Sequence, residues 1–220
     1  MWAKICNGAS YIVGDISQIP ENRAEWVDVL PQIERERYYS YGNRNAADLF
    51  LLGRILLRKE LLAAHSLPFD VEIKTDSNGK PCLQHELPHF SISHSKEKVA
   101  VAIADFPVGI DIQKLVAKSR ETLLAMGRKV FSPQEMAMLQ DAGNPQECFT
   151  KLWVAKESYV KMLGTGLANS ADIDISAIIN STQPQSQLQF QPQSQPICYY
   201  HTCLPDNYFL SVIAKVAKNY

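Results

Sequence analysis

Val99-Ala100-Val101-Ala102-Ile103-Ala104-Asp105-Phe106-Pro107-Val108-Gly109-Ile110-Asp111-Ile112-Gln113 lies at the middle of this 220-residue chain. Its first six residues form an unbroken apolar run of the length of a buried strand. Pro107-Val108-Gly109 turns the chain into a second strand, where Ile110 and Ile112 face the core and Asp111 and Gln113 share the other face. The acid at Asp111 interrupts an apolar run, so solvation alone does not account for it.

Working outward, Leu49, Phe50, Leu52, Leu56, Leu57 and Leu61 give the stretch Asp48 to Ala64 the broad apolar face of a core helix. Val71-Glu72-Ile73-Lys74 alternates as a strand, Asp76-Ser77-Asn78-Gly79-Lys80-Pro81 is a turn, and Phe90-Ser91-Ile92-Ser93 alternates again before His94-Ser95. The second half repeats this order loosely. It has a helix from about Gln146 to Leu163, a strand near Ile173 to Ile175 and a last strand at Tyr208 to Ala214. The expectation is an α+β fold of two similar lobes, a duplicated unit split into residues 1–106 and 107–220, with a site between them. Ser132-Pro133-Gln134-Glu135 carries the cap, the first-turn proline and the returning glutamate of a helix start. The Gln-, Pro- and Ser-rich stretch Ser181 to Pro196 reads as a flexible loop.

Composition narrows the chemistry. With 46% hydrophobic and 20% charged residues the chain is globular, and a net charge of −1 offers no global field for nucleic acid. An anionic ligand must therefore be held by a local basic cluster. Cys6, Cys82, Cys148, Cys198 and Cys203 form no C-x-x-C pair and read as reduced thiols. Cys198, His201 and Cys203 lack a fourth ligand at zinc spacing. The N-terminal residues lack a signal-peptide core and no run of eighteen apolar residues occurs, so a cytoplasmic protein with no membrane partner is expected.

The chemistry-bearing segment is Trp153-Val154-Ala155-Lys156-Glu157-Ser158-Tyr159-Val160-Lys161. On a helix Trp153, Glu157 and Lys161 lie along one stripe, and Lys156 sits about 100° around from Glu157. Glu157 and Lys161 alone could be a surface pair contributing about 0.3–0.5 kcal/mol. Set beside Asp111 they suit a hard cation, because Mg²⁺ takes one or two carboxylates and completes its shell with water and phosphate oxygens. No Ser-His-Asp or Cys-His arrangement and no glycine-rich phosphate loop stands out, which leaves the nucleophile to the substrate. The leading expectation is metal-assisted phosphoryl-type transfer.

Six landmarks, in order, then resemble one family, the larger 4′-phosphopantetheinyl transferases of the surfactin-synthetase-activating (Sfp) type. They are Gly53-Arg54-Ile55-Leu56-Leu57-Arg58, Gly79-Lys80-Pro81, Phe90 to Ser95, Val108 to Ile112, Phe131 to Glu135, and Trp153 to Lys161 with Gly164-Thr165-Gly166-Leu167. The resemblance implies a monomer of two lobes, each a small antiparallel sheet packed on a long helix. It implies coenzyme A and Mg²⁺, with Mn²⁺ as a substitute, in the cleft. It also implies transfer of phosphopantetheine to a serine of an apo acyl or peptidyl carrier protein. By position Asp111 and Glu157 resemble the metal ligands, with Gln113 a weaker third because an amide brings no charge. Glu157, Lys161 and Lys156 match the catalytic segment. Ser93 and His94 resemble contacts to the 3′-phosphate, and Arg37 and Lys80 fall at basic contacts to the nucleotide; Asp111 and Lys161 also face the coenzyme. Lys114, Lys118, Arg120, Arg128 and Lys129, against Glu121 alone, could receive the acidic recognition helix of a carrier. Two other readings stay open at this point: a non-catalytic coenzyme A or carrier-binding module, and a metal-dependent phosphohydrolase.

Overall fold

A cap sets where each long helix starts. The Asn43 side chain accepts from the Ala46 N–H, so the first helix of the core begins at Arg44, ahead of the apolar face that starts at Leu49. Asn144 accepts from the Glu147 N–H, Pro145 follows it, and Gly164 closes the second long helix in the left-handed conformation (φ 74). The structure is a computed structural model and describes residues 1–5, 8–84, 87–167, 170–179, 186–189 and 196–216, with residues 186–189 and 196 described by backbone alone.

In chain order the elements are β1 (Ala3–Lys4), β2 (Ser10–Asp15), α1 (Ala24–Val27), α2 (Gln32–Ser40) and α3 (Arg44–His65). Next come β3 (Ile73–Thr75), β4 (Pro81–Leu83), β5 (His89–Ser95), β6 (Lys98–Ala104) and β7 (Val108–Lys114). The second half holds α4 (Arg120–Gly127), α5 (Pro133–Asp141), α6 (Pro145–Leu163), α7 (Ser176–Ile179), β8 (Ser186–Gln189), β9 (Pro196–Leu204) and β10 (Tyr208–Lys215). One four-stranded sheet runs β1-β2-β6-β5 and a second β7-β10-β9-β8, while β3 and β4 form a two-stranded sheet, every pairing antiparallel. The expected α+β fold is what forms. In each four-stranded sheet a last strand (β6 or β10) lies between an earlier strand (β2 or β7) and its hairpin partner (β5 or β9).

Alternation along β6 decides the layering. Val99, Val101 and Ile103 join the α3 core, whereas Ala100, Ala102 and Ala104 meet Val108, Ile110, Ile112, Leu210, Val212 and Ala214 of the second sheet. Alanines on that face let the sheets come close. On the far side of the second sheet, Tyr199 and Ile213 pack on Ala155, Tyr159 and Met162 of α6. The order of layers is therefore α3, sheet, sheet, α6.

One seam joins the sheets edge to edge. Ser91, Ser93 and Ser95 of β5 are buried, and their hydroxyls accept from the outward N–H groups of Ile110 (3.2 Å), Ile112 (3.3 Å) and Lys114 (3.1 Å) on β7. Side chains there replace a backbone ladder, and every second residue is a serine because only alternate side chains face β7.

Several expectations need correction. Ile173 to Ile175 is not a strand; a 3₁₀ turn (Ser170–Asp172) and α7 flank it, and Glu135 takes the Ile175 N–H. Val71 and Glu72 fall before β3, which starts at Ile73. Within Ser181 to Pro196, Ser186–Gln189 pairs with β9 as β8, and residues 181–185 and 190–195 lie outside the described residues. Cys198 is disulfide-bonded, which overturns the reading of uniformly reduced thiols; Cys82, Cys148 and Cys203 are free.

Among the described residues, His201 on β9 has no partner at either ring nitrogen. Burial, and then the Lys151 ammonium, push its pKa down to about 4. The folded chain thus keeps His201 neutral where the unfolded chain, near 6.5, takes up a proton, so stability falls as pH drops from 6.5 toward 4. Urea unfolding at pH 7 and pH 5 checks this: the native chain loses on the order of 2 kcal/mol more than His201→Gln over that interval.

Candidate active site

Helix α6 lies directly on β7 because Gly109 has no side chain. A Cβ there would stand 1.9 Å from the Ser158 carbonyl oxygen and 2.5 Å from the Met162 nitrogen. That approach lowers Lys161 onto the polar face of β7, with its Nζ 2.6 Å from Asp111 Oδ1 and 3.2 Å from Ser93 Oγ. Ser93 donates to the same Oδ1 at 2.6 Å while accepting from Ile112, so the seam hydroxyl also orients the acid. Glu157, one turn before Lys161, is 3.9 Å from its Nζ.

The charges do not balance. Two carboxylates face one ammonium, and Asp111 Oδ2 is buried without a partner among the described residues. Burial raises the Glu157 pKa, with the Asp111 charge adding to it and Lys161 opposing. A second cation would relieve both acids, and a set made only of oxygens suits a hard divalent ion. Among the described residues no cluster of three or more His, Cys, Asp or Glu side chains gathers here. Gln113 shares the face of Asp111, but its amide nitrogen donates to the Lys114 carbonyl (3.3 Å) rather than reaching the acids.

Two cavities meet beside Ile92 of β5 and the turn before β4. One, about 280 Å³, is lined by Lys80, Ser91, Glu157, Lys161 and Gly164 among others; the second, about 220 Å³, by Arg37, Phe50, Arg54 and His94. Gly79, Pro81 and Ile92 line both, so the turn before β4 roofs a continuous cleft. That turn is tied down: Asn78 Nδ2 donates to the Gly164 carbonyl (2.7 Å), and Lys80 Nζ donates to the carbonyls of Lys161 (2.8 Å) and Val108 (3.3 Å). Lys80 thus caps the C-terminal end of α6, where the helix dipole favours a cation. Burial lowers its pKa, with Asp76 opposing. His94 is held below its usual pKa by its packed surroundings and then by Lys161.

Lys156 goes elsewhere. Its ammonium is buried, 2.8 Å from Glu135 Oε2, and donates to the carbonyls of Ser170 (3.1 Å) and Ile173. Glu135 in turn accepts from the Ser132 and Ile175 N–H groups (3.0 and 2.7 Å), so the helix start at Ser132 and the motif lysine belong to one buried knot fastening α5 to α6. Arg120 is also engaged, donating to the carbonyls of Gln140 (3.0 Å) and Ala142 (2.7 Å). Reading the sequence alone missed Ser91 and Ser95; their signal was present as the period-two run Ser91-x-Ser93-x-Ser95, which gives a strand one wholly polar face.

A family profile described as the 4′-phosphopantetheinyl transferase superfamily matches residues 107–213. The chain is 32% identical over 179 residues to 4′-phosphopantetheinyl transferase gsp of Aneurinibacillus migulanus, covering 80% of this chain and 72% of that protein. It is 30% identical over 187 residues to 4′-phosphopantetheinyl transferase Sfp of Bacillus subtilis (strain 168), covering 83% and 80% respectively.

The two lysines of the helix should separate cleanly in stability. Lys156→Met strands Glu135 in the core and lowers the unfolding free energy by about 3 kcal/mol or more. Lys161→Met leaves Asp111 its Ser93 hydrogen bond and removes a half-buried ammonium at an open cleft, so it lowers the unfolding free energy by less, on the order of 1–2 kcal/mol. Denaturant titration of both variants reads the difference.

Proposed function

The chain belongs to the 4′-phosphopantetheinyl transferase superfamily and is an enzyme of the phosphopantetheinyl transferase type; from that premise we propose that it moves the 4′-phosphopantetheine arm of coenzyme A to a serine of an apo acyl or peptidyl carrier protein, releasing adenosine 3′,5′-bisphosphate. The observation that carries this reading is the cluster of Asp111, Glu157 and Lys161 at a cleft roofed by the Gly79–Pro81 turn, with an acid oxygen still unpaired. The carrier serine supplies the nucleophile, so the enzyme needs to position and neutralise rather than attack.

The carrier hydroxyl attacks the β-phosphorus of the pyrophosphate, and the bond to the 5′-phosphate of the nucleotide breaks. Glu157 takes the hydroxyl proton. Lys161 neutralises the charge that grows on the pyrophosphate oxygens, and Ser93, already bonded to Asp111 and Ile112, holds that acid in place rather than contacting the nucleotide. Asp111 and Glu157 would hold Mg²⁺, or Mn²⁺ in its place, which when bound neutralises pyrophosphate charge. Gln113 would join them by turning its amide from the Lys114 carbonyl. Lys156 acts from a distance, fixing the rotation of α6. Lys80 holds the roof of the cleft, while Arg37 and His94 face the nucleotide.

The three-strand order shared by the two sheets, β2-β6-β5 and β7-β10-β9, supports reading residues 1–106 and 107–220 as two copies of one unit; in that reading coenzyme A lies between them in a monomer. Lys114, Lys118, Arg128 and Lys129 offer an acidic carrier helix a landing surface, and Arg120, which donates to the carbonyls of Gln140 and Ala142, adds its charge to it. No described helix is long and apolar enough to cross a membrane, which fits work on a soluble carrier in the cytoplasm.

Intact-mass measurement tests the reading: apo carrier, coenzyme A and Mg²⁺ give a carrier heavier by one phosphopantetheine group. Asp111→Ala and Glu157→Ala each reduce the rate by about 100-fold or more with unchanged thermal midpoints; full activity in either overturns the roles assigned. Adding the missing charge works in the opposite direction. Gln113→Glu lowers the Mg²⁺ concentration for half-maximal rate, and an equal or higher requirement counts against Gln113 as a ligand position.

A further inference from the structure

Arg54 and Arg58, one turn apart on α3, share a single acid. Glu34 on α2 is buried, with Oε2 2.9 Å from Arg58 Nε and Oε1 3.3 Å from Arg54 Nε. Arg58 is completed by the carbonyls of Phe69 (2.6 Å) and Val71 (3.0 Å). Arg54 is not: among the described residues its Nη1 is buried with no hydrogen-bond partner, in a residue only 9% exposed. One carboxylate against two guanidinium groups leaves an excess positive charge, and it falls on the arginine that lines the second cavity.

The rest of that cavity points the same way. Arg37, an exposed side chain on α2, stacks on the Phe50 ring 5.6 Å from its centroid, and Arg54 stacks on the same ring at 5.2 Å. His94 lines the cavity, and no acid does. A desolvated cation missing a hydrogen-bond acceptor is costly unless an anion completes it. Burial accordingly lowers the Arg54 pKa, with Glu34 opposing.

We propose that Arg54 is a ligand-binding residue that, with Arg37 above the Phe50 ring, receives a phosphate monoester dianion in the second cavity. In the reading proposed above, on which this rests, that group is the 3′-phosphate of the nucleotide portion of the co-substrate. Arg54 then determines specificity for nucleotides carrying this monoester. Its guanidinium suits the task because Glu34 and Phe50 already fix its plane, so little freedom is lost when the phosphate arrives.

Calorimetric titration with two probes, adenosine 3′,5′-bisphosphate and adenosine 5′-monophosphate, tests Arg54 without relying on turnover. The native protein binds the bisphosphate at least about tenfold more tightly than the monophosphate. Arg54→Gln weakens bisphosphate binding by about 10- to 100-fold and leaves monophosphate binding unchanged, as loss of one charge-assisted contact requires. Arg54→Lys keeps a charge beside Glu34 but has no fork of donors; it loses about tenfold of the preference and decides the matter if Arg54→Gln does not fold. Native preference retained in the folded Arg54→Gln protein, or in Arg54→Lys, overturns the role of Arg54 while leaving the transferase reading intact. A native protein that binds neither probe overturns that reading itself, and this inference with it.

Discussion

The edge of β7 that faces β5 has backbone N–H groups at Ile110, Ile112 and Lys114 that no strand of its own sheet can take. Buried donors left unpaired would be costly, and three serine hydroxyls remove that cost. Much else depends on this seam. It fixes the register of one sheet against the other, and the middle hydroxyl, Ser93, carries that register into the site by bonding Asp111 as well. Gly109 supplies the complementary constraint, letting α6 settle on β7 until Lys161 meets the same acid.

The site is built by deciding which charged groups remain available. Lys156 is spent on Glu135, Lys80 on the end of α6 and Arg120 on the carbonyls of Gln140 and Ala142. Each of these cations stabilises the frame, and none is free to move with a ligand. Among the described residues Asp111 Oδ2, Glu157 and the buried Nη1 of Arg54 are left with incomplete sets of partners, and all three residues belong to the cleft region. Incomplete satisfaction in an otherwise well-paired interior is a physical signature of a binding surface.

How far the fold was legible follows from which signals are local. The long helices were visible in their apolar faces and caps, and β6 and β10 in their apolar runs, because burial and capping act on neighbouring residues. β2 has a weaker pattern of its own, and its place between β1 and β6 is set by those partners. β8 was concealed in a composition typical of loops; its pairing comes from β9, a partner outside the segment. The strand expected near Ile173 failed for a related reason, since the Ile175 N–H is claimed by Glu135, forty residues earlier in the chain.

The sequence by itself determined the class of fold, the two long helices, and the pairing of Glu157 with Lys161, which a four-residue helical spacing dictates. It also brought Asp111 under suspicion, as an acid inside an apolar strand. Only the tertiary structure decided that Lys156, one residue from Glu157, faces a buried acid on another helix, that Ser93 serves an acid before any ligand, and that Arg54 is one acceptor short. These depend on contacts between residues far apart in the chain. Spacing tells which side chains share a face, but only packing tells what each face meets.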